Sequence, residues 1–146
     1  MPVIVAVDDS GTQTRLLTEA AKLARAFDET LSVVHVLPQS KFREMEQKNV
    51  DKTGKTIDLD TVRSVAKEVA DDAADGVVDA YTPVGLVGSP EDEIVKYADK
   101  NEAPYIVVGS RKRSPTGKAL FGSTTQSVLL NSEIPVLTVM NRSVSK

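Results

Sequence analysis

The 146-residue chain has no cysteine and a single histidine. The missing thiols exclude disulfides, thiolate nucleophiles and sulfur-ligated metal centres, and they leave the redox compartment undetermined. His35 would need carboxylates alone as co-ligands to hold a transition metal, so a hydrogen-bonded strand histidine is expected there, and no metal site. No stretch approaches the roughly 18 consecutive apolar residues of a membrane span. The opening MPVIVAVDDS lacks the basic n-region and the long apolar core of a signal peptide, and it reads as a first strand. Cytoplasm is the default expectation. Nor is there an excess of positive charge: at a net charge of −3 the chain lacks the cation-covered face that general nucleic-acid binding requires. There is no internal repeat and no low-complexity tract.

What is present fits one globular domain over residues 1–146, with 40% hydrophobic and 27% charged residues. Val3 to Val7 is a continuous β-branched run, the pattern of a strand covered on both faces. Ser10 and Gln13 follow at capping-box spacing, and Leu16, Ala20, Leu23, Ala24 and Phe27 recur at helical spacing. Leu31 to Leu37 is a second buried strand. Gln39 to Thr56 is polar and aperiodic and reads as a long functional connection. Val62, Val65, Ala66, Val69, Ala70 and Ala73 form a second helical stripe that Gly76 ends. The third strand lies within Val77 to Val87, and Pro83 places it at a sheet edge. Ser89, Pro90 and the acids Glu91, Asp92 and Glu93 mark a helix start. Tyr105 to Val108 is a fourth strand, Thr124 to Leu130 a helix and Pro135 to Met140 a last strand. This alternation predicts right-handed crossovers, a parallel sheet with helices on both faces, and ligand binding beyond the carboxyl ends of the strands.

Residues 109 to 124, GSRKRSPTGKALFGST, carry three glycines, four cations and no acid. A Walker A loop is ruled out, because Gly117-Lys118 continues with Ala119 and the position five before Gly117 is Lys112. The first strand is not followed by a G-x-G-x-x-G turn either. Gly109 nevertheless ends a buried strand, where backbone can approach a ligand, and Gly122-Ser123 opens a helix whose N–H groups and dipole favour an anion. Arg111, Lys112, Arg113 and Lys118 lie between them. Two readings follow: a polyphosphate cradle, or a surface loop with solvated charges and turn glycines.

The chain resembles the universal stress protein family. The resemblance rests on Val7, Asp8 and Ser10 after strand one, His35-Val36 at the end of strand two, Gly88 and Pro90 at a turn into a helix, and the loop after strand four. Nucleotide-binding members have G-x2-G-x9-G-[ST] in that loop; here the spacing gives Gly109, Lys112, Gly122 and Ser123. The resemblance implies a three-layer α/β/α, Rossmann-like fold of the adenine nucleotide alpha hydrolase type, with a five-stranded parallel sheet in the order 3-2-1-4-5. It implies ATP, with Mg held through its phosphates, and a homodimer formed through the last strand. By position, Ala6 and Val7 would floor the base site, Asp8 accept the ribose hydroxyls and Val36 meet adenine through its backbone. Gly88 would line the ribose and phosphates, Gly109, Gly122 and Ser123 would hold phosphates, and Arg111, Lys112 and Thr124 complete the expected set. Lys112 replaces a glycine of the pattern. If that position needs a positive φ, the side chain costs about 1 kcal/mol or more.

Consecutive Asp8 and Asp9 on an extended segment point to opposite sides, so Asp8 is expected to face the ligand and no shared ion is expected. Ser114, Thr116, Thr124 and Thr125 are readable as phosphate acceptors or as turn and cap residues. No nucleophile, base and orienter combine into a catalytic set, so at most slow ATP hydrolysis or autophosphorylation is expected. Phe42 and Met45, one helical turn apart, would dock a partner, cover the nucleotide or make minor packing contacts. The function expected is a ligand-gated dimeric stress-response protein in which ATP orders the Ser110 to Phe121 loop and alters a surface presented to a protein partner. The alternative is a nucleotide-free dimeric interaction module of the same fold.

Overall fold

The computed structural model describes residues 1–9, 13–110 and 121–140. Five parallel strands, β1 (Val3–Ala6), β2 (Leu31–Pro38), β3 (Thr82–Gly88), β4 (Ile106–Gly109) and β5 (Val136–Val139), form one sheet in the order β3-β2-β1-β4-β5. This is the expected order. β1 sits at the centre, paired to β2 from Val3↔Leu31 to Ala6↔Val34 and to β4 through Ile4↔Ile106 and Val5↔Val107. Its Val3, Ile4 and Val5 are fully buried, as a doubly covered parallel strand requires.

Side chains alternate between two cores along each strand. On one face, α1 (Thr14–Ala26) and α3 (Leu59–Ala74) bury Leu17, Ala20, Ala70 and Ala74 against Val3, Val5, Val33 and Val107. On the other, α4 (Pro90–Lys100) and α5 (Ser123–Asn131) bury Ile94, Ala98 and Val128 against Ile4, Val34, Val36, Ile106 and Val108. Three layers result. β3 lies at an edge, where Pro83 with its missing N–H is tolerated. Gly76, directly after the α3 C-cap, has φ +78°, the left-handed conformation that ends the helix. The Tyr81 hydroxyl donates to the Asp71 carboxylate at 2.6 Å, tying the segment before β3 back to α3; this bond, burial and the nearby acids push its pKa up to about 12.

The segment after β2 departs from the expected irregular connection: residues Gln39–Thr53 form a helix, α2. None of its residues is fully buried, so no broad apolar stripe betrays it. Its content of Lys, Arg, Glu, Gln and Met suits a helix on propensity alone. Phe42 and Met45 pack against Leu37, Val62 and Ala66, which assigns them to packing. Gly54, at φ +73°, terminates the helix, its N–H donating to the Val50 carbonyl at 2.8 Å.

The tightest approach of a helix to the sheet is α3 on β3. A Cβ built on Gly85 would collide with the Arg63 carbonyl oxygen and the Lys67 amide nitrogen, both backbone atoms of α3. Gly85 therefore sets how close α3 lies. Gly85→Ala is expected to lower the unfolding free energy by about 3 kcal/mol, because neither backbone can yield locally. Gly54→Ala, with open space around it but a left-handed φ, should cost about 1 kcal/mol. Urea unfolding of both variants checks the difference, and equal losses would contradict it.

Candidate functional site

The carboxyl ends of β1, β2, β3 and β4 reach one rim of the sheet at Ala6, Pro38, Gly88 and Gly109. The chain passes from β1 to β2 through a helix on one face and from β4 to β5 through a helix on the other. The crevice between β1 and β4 is thus the switch point where sheets of this type bind ligands.

The backbone leaving β1 is held at two consecutive residues. The Val7 N–H donates to the Val34 carbonyl at 2.9 Å, and the Val7 carbonyl pairs with His35 Nδ1 at 2.9 Å. His35 is buried, a hydrogen-bonded strand histidine as expected. The Asp8 N–H donates to Gln13 Oε1 at 3.0 Å, while Gln13 Nε2 donates to the Asp8 carbonyl at 2.9 Å. Gln13 therefore does not act as the N3 residue of a capping box. It stands at the N-cap of α1, at φ −127°, makes no side-chain cap bond, and turns its carboxamide onto Asp8. Ser10, the other half of that expectation, lies outside the described residues. Asp8 and Asp9 are both exposed and line one groove of about 580 Å³ together with Asp72 and Asp75. Regular strand geometry stops at Ala6, so the alternation of side chains along an extended strand does not govern this pair. Among the described residues no group of three acids or histidines is placed to hold a metal ion.

Ala6 is half-buried and Val7 buried beneath this exit. On β2, the Val36 side chain packs in the core. Backbone groups of a strand reverse direction at each residue and so repeat every second one, and the Val34 carbonyl faces β1. The Val36 N–H and carbonyl therefore face the same way, above the last rung that β1 offers. Among the described residues β1 makes no backbone bond to Val36, and the Val7 carbonyl is paired with His35. At the end of β3, Gly88 has φ +140°, which excludes other residues, and the Glu93 side chain lies 3.1 to 3.3 Å from where a Cβ would stand. α4 begins as expected, with Ser89 at the N-cap and Pro90 at the first position. The Ser89 hydroxyl donates to Glu91 at 2.8 Å rather than capping the helix, so the positive end of α4 faces its own Glu91, Asp92 and Glu93.

α5 is different. Its N-cap is Gly122, it has no side-chain cap bond and no acid in its first turn. The Gln126 N–H to Gly122 carbonyl bond, at 3.0 Å, is the first of the helix, so the amides of exposed Ser123 and half-buried Thr124 precede the intrahelical ladder. Thr125 is buried and donates its hydroxyl to the Gly109 carbonyl at 2.9 Å, fastening the start of α5 to the end of β4. That position removes Thr125 from the accessible hydroxyls. Gly109 itself is half-buried, and a Cβ there would meet Leu16 at 3.6 and 3.8 Å, ordinary contact distances. Among the described residues nothing demands glycine at 109. Of the expected site, Arg111 and Lys112 lie outside the described residues, as do Arg113, Ser114, Thr116, Gly117 and Lys118. For Gln13, Thr125 and Glu93 the sequence suggested other roles than the contacts they make with Asp8, Gly109 and Gly88. For Gln13 the signal was its spacing of five from Asp8.

This parallel sheet, with helices on both faces and a helix amino terminus opening beside the end of its fourth strand, is the architecture of a doubly wound, Rossmann-like α/β domain. The chain belongs to the universal stress protein family, whose family model matches residues 1–140. A universal stress protein of Methanocaldococcus jannaschii is 26% identical over 137 residues, covering 94% of this chain and 80% of that protein. The structure of a universal stress protein from Archaeoglobus fulgidus is 33% identical, with a TM-score of 0.61 over 94% of this chain and 97% of its own. Another structure of the universal stress protein from A. fulgidus, in complex with dAMP, is 27% identical, with a TM-score of 0.56 over 94% and 96%.

Two substitutions separate fold from site. Thr125→Val, which keeps the shape and removes the bond to Gly109, should cost about 1 to 2 kcal/mol of stability. Gly109→Ala should change it by about 0.5 kcal/mol or less. Thermal and urea unfolding check both, and a large loss at Gly109 would mean that packing explains that glycine.

Proposed function

We propose that this chain is a single-domain universal stress protein that binds an adenine nucleotide, ATP with Mg, across the rim between β1 and β4. One observation carries the reading: Gly109, a glycine that no described residue requires, adjoins a helix start that has neither an N-cap side-chain bond nor an acid in its first turn. Small size at the strand end and a helix amino terminus without an acid in its first turn both suit a phosphate chain. Gly109, Gly122, Ser123 and Thr124 hold the phosphates in this reading, supplemented by Arg111 and Lys112. The Val36 backbone meets the adenine edge above the floor of Ala6 and Val7, Asp8 takes the ribose hydroxyls, and Gly88 gives room beside the sugar. Mg is carried by the phosphates, consistent with the lack of a three-ligand cluster among the described residues. The dAMP complex of the A. fulgidus protein supports the ligand class.

The protein acts in the cytoplasm as a homodimer whose nucleotide state alters the surface shown to a protein partner, and turnover of ATP is slow and incidental. Dimerisation is supported by apolar residues on the last helix and strand, Leu129, Leu130 and Leu137, which are 39%, 77% and 39% exposed. The same residues favour a second reading, a nucleotide-free dimeric module in which Lys112 blocks the pocket.

Calorimetric titration with ATP, with and without Mg, decides between them. Binding is expected, with affinity falling at least about tenfold in Gly109→Val while the melting temperature holds. No heat and no shift in melting at millimolar nucleotide would remove the nucleotide reading, and binding gained only in Lys112→Gly would establish the second. Sedimentation velocity should show a dimer that Leu130→Lys combined with Leu137→Lys converts to monomer; an unchanged dimer would place the interface elsewhere.

A further inference from the structure

Asp8 is the first residue after β1 whose backbone has lost a strand neighbour, because the pairing of β1 with β2 ends at Ala6↔Val34 and the last ladder-like bond is from Val7 to Val34. A backbone leaving a sheet in this way is free to swing, and with it the direction in which its side chain points. The carboxamide of Gln13 carries the same donor and acceptor as a peptide group. It meets the Asp8 N–H at 3.0 Å and the Asp8 carbonyl at 2.9 Å, replacing the missing strand with a side chain. One residue earlier, His35 and Val34 hold both backbone groups of Val7. Four hydrogen bonds thus fix two successive residues, and the Cα–Cβ direction of Asp8 with them.

Gln13 occupies the N-cap of α1, a position where short side chains such as Ser, Thr, Asp or Asn bond the first turn of the helix. Glutamine forgoes that bond here and reaches five residues back. The clasp joins only Asp8 and Gln13, so its effect falls on the presentation of Asp8 rather than on the core. We propose that Gln13 is a positioning residue for ligand recognition: its two-bond clasp aims the Asp8 carboxylate at the ribose hydroxyls. The inference rests on the ribose reading of Asp8 made above.

The consequence is a loss of discrimination rather than of general affinity, since a misaimed carboxylate forfeits only the hydroxyl contacts. Calorimetric titration of the full chain with ATP and with 2′,3′-dideoxy-ATP, at fixed Mg, reads this directly. The protein should favour ATP by about tenfold or more, the worth of hydrogen bonds to a charged group. In Gln13→Met, of similar length but without donor or acceptor, the ratio should fall to about threefold or less, with affinity for the dideoxynucleotide and the melting temperature held. Gln13→Glu keeps an acceptor for the Asp8 N–H but sets an oxygen against the Asp8 carbonyl, and should behave like Gln13→Met. Without ligand, the Asp8 amide should exchange faster with solvent in Gln13→Met than in the parent by NMR. A ratio kept in Gln13→Met or Gln13→Glu but lost in Asp8→Ala would overturn the positioning role and leave the ribose reading intact. Equal weakening of both nucleotides in Gln13→Met would overturn it as well. A parent protein that binds neither nucleotide, or an Asp8→Ala variant that keeps the preference, would overturn the ribose reading and this inference together.

Discussion

The short central strand is the constraint from which the site follows. β1 pairs with neighbours on both edges and is buried on both faces, so its four residues have no freedom of position. β2 continues from Val34, opposite Ala6, through Pro38, and β4 runs to Gly109, level with Val7 because Val107 stands opposite Val5. The rim is therefore indented over β1. Into that indentation face the β1-side backbone groups of Val36, the held exit at Val7 and Asp8, and the end of β4 with its glycine. A parallel sheet delivers all its carboxyl ends to one side, and the difference in strand length turns that side into a cleft.

Glycine has several meanings along this chain, and space and dihedral angle separate them. Gly85 is required by packing, since α3 backbone occupies the volume a side chain would need. Gly54, Gly76 and Gly88 are required by positive φ, two of them ending helices and the third turning the chain from β3 into α4. Gly109 is required by neither among the described residues. With packing against the described residues and conformation set aside, close approach of a ligand is one physical reason for a missing side chain at that strand end. The ligand proposal draws its weight from this elimination.

The strands, their parallel sense and the edge position of β3 could be read from the sequence because burial on both faces leaves continuous β-branched runs, and Pro83 has few places to go. α2 could not, since it buries nothing fully and its helical character lies in propensity rather than periodicity. The capping-box spacing of Ser10 and Gln13 misled for a related reason: a sequence pattern records that a carboxamide can reach a backbone group, not which one it reaches. In the fold the reach is backward, to Asp8, and this could be seen only once the end of β1 was fixed at Ala6. The family resemblance located the rim residues, but His35, Thr125 and Glu93 acquire their roles from neighbours that are distant in sequence.

Charge along the rim is segregated. Asp8 and Asp9 share one groove with Asp72 and Asp75, and α4 meets its own three acids at Glu91, Asp92 and Glu93. α5 has none in its first turn, and the 109–124 stretch that leads into it contains four cations and no acid. For a nucleotide bound as proposed, repulsion excludes phosphate from the β1–α1 and β3–α4 corners, and the α5 dipole attracts it to the remaining one. The hydroxyl-bearing sugar is the part of the ligand that suits a carboxylate as acceptor. Orientation along the cleft therefore comes from the sign of charge at each corner, leaving the shape of the base site above Ala6 and Val7 to select what lies at the far end.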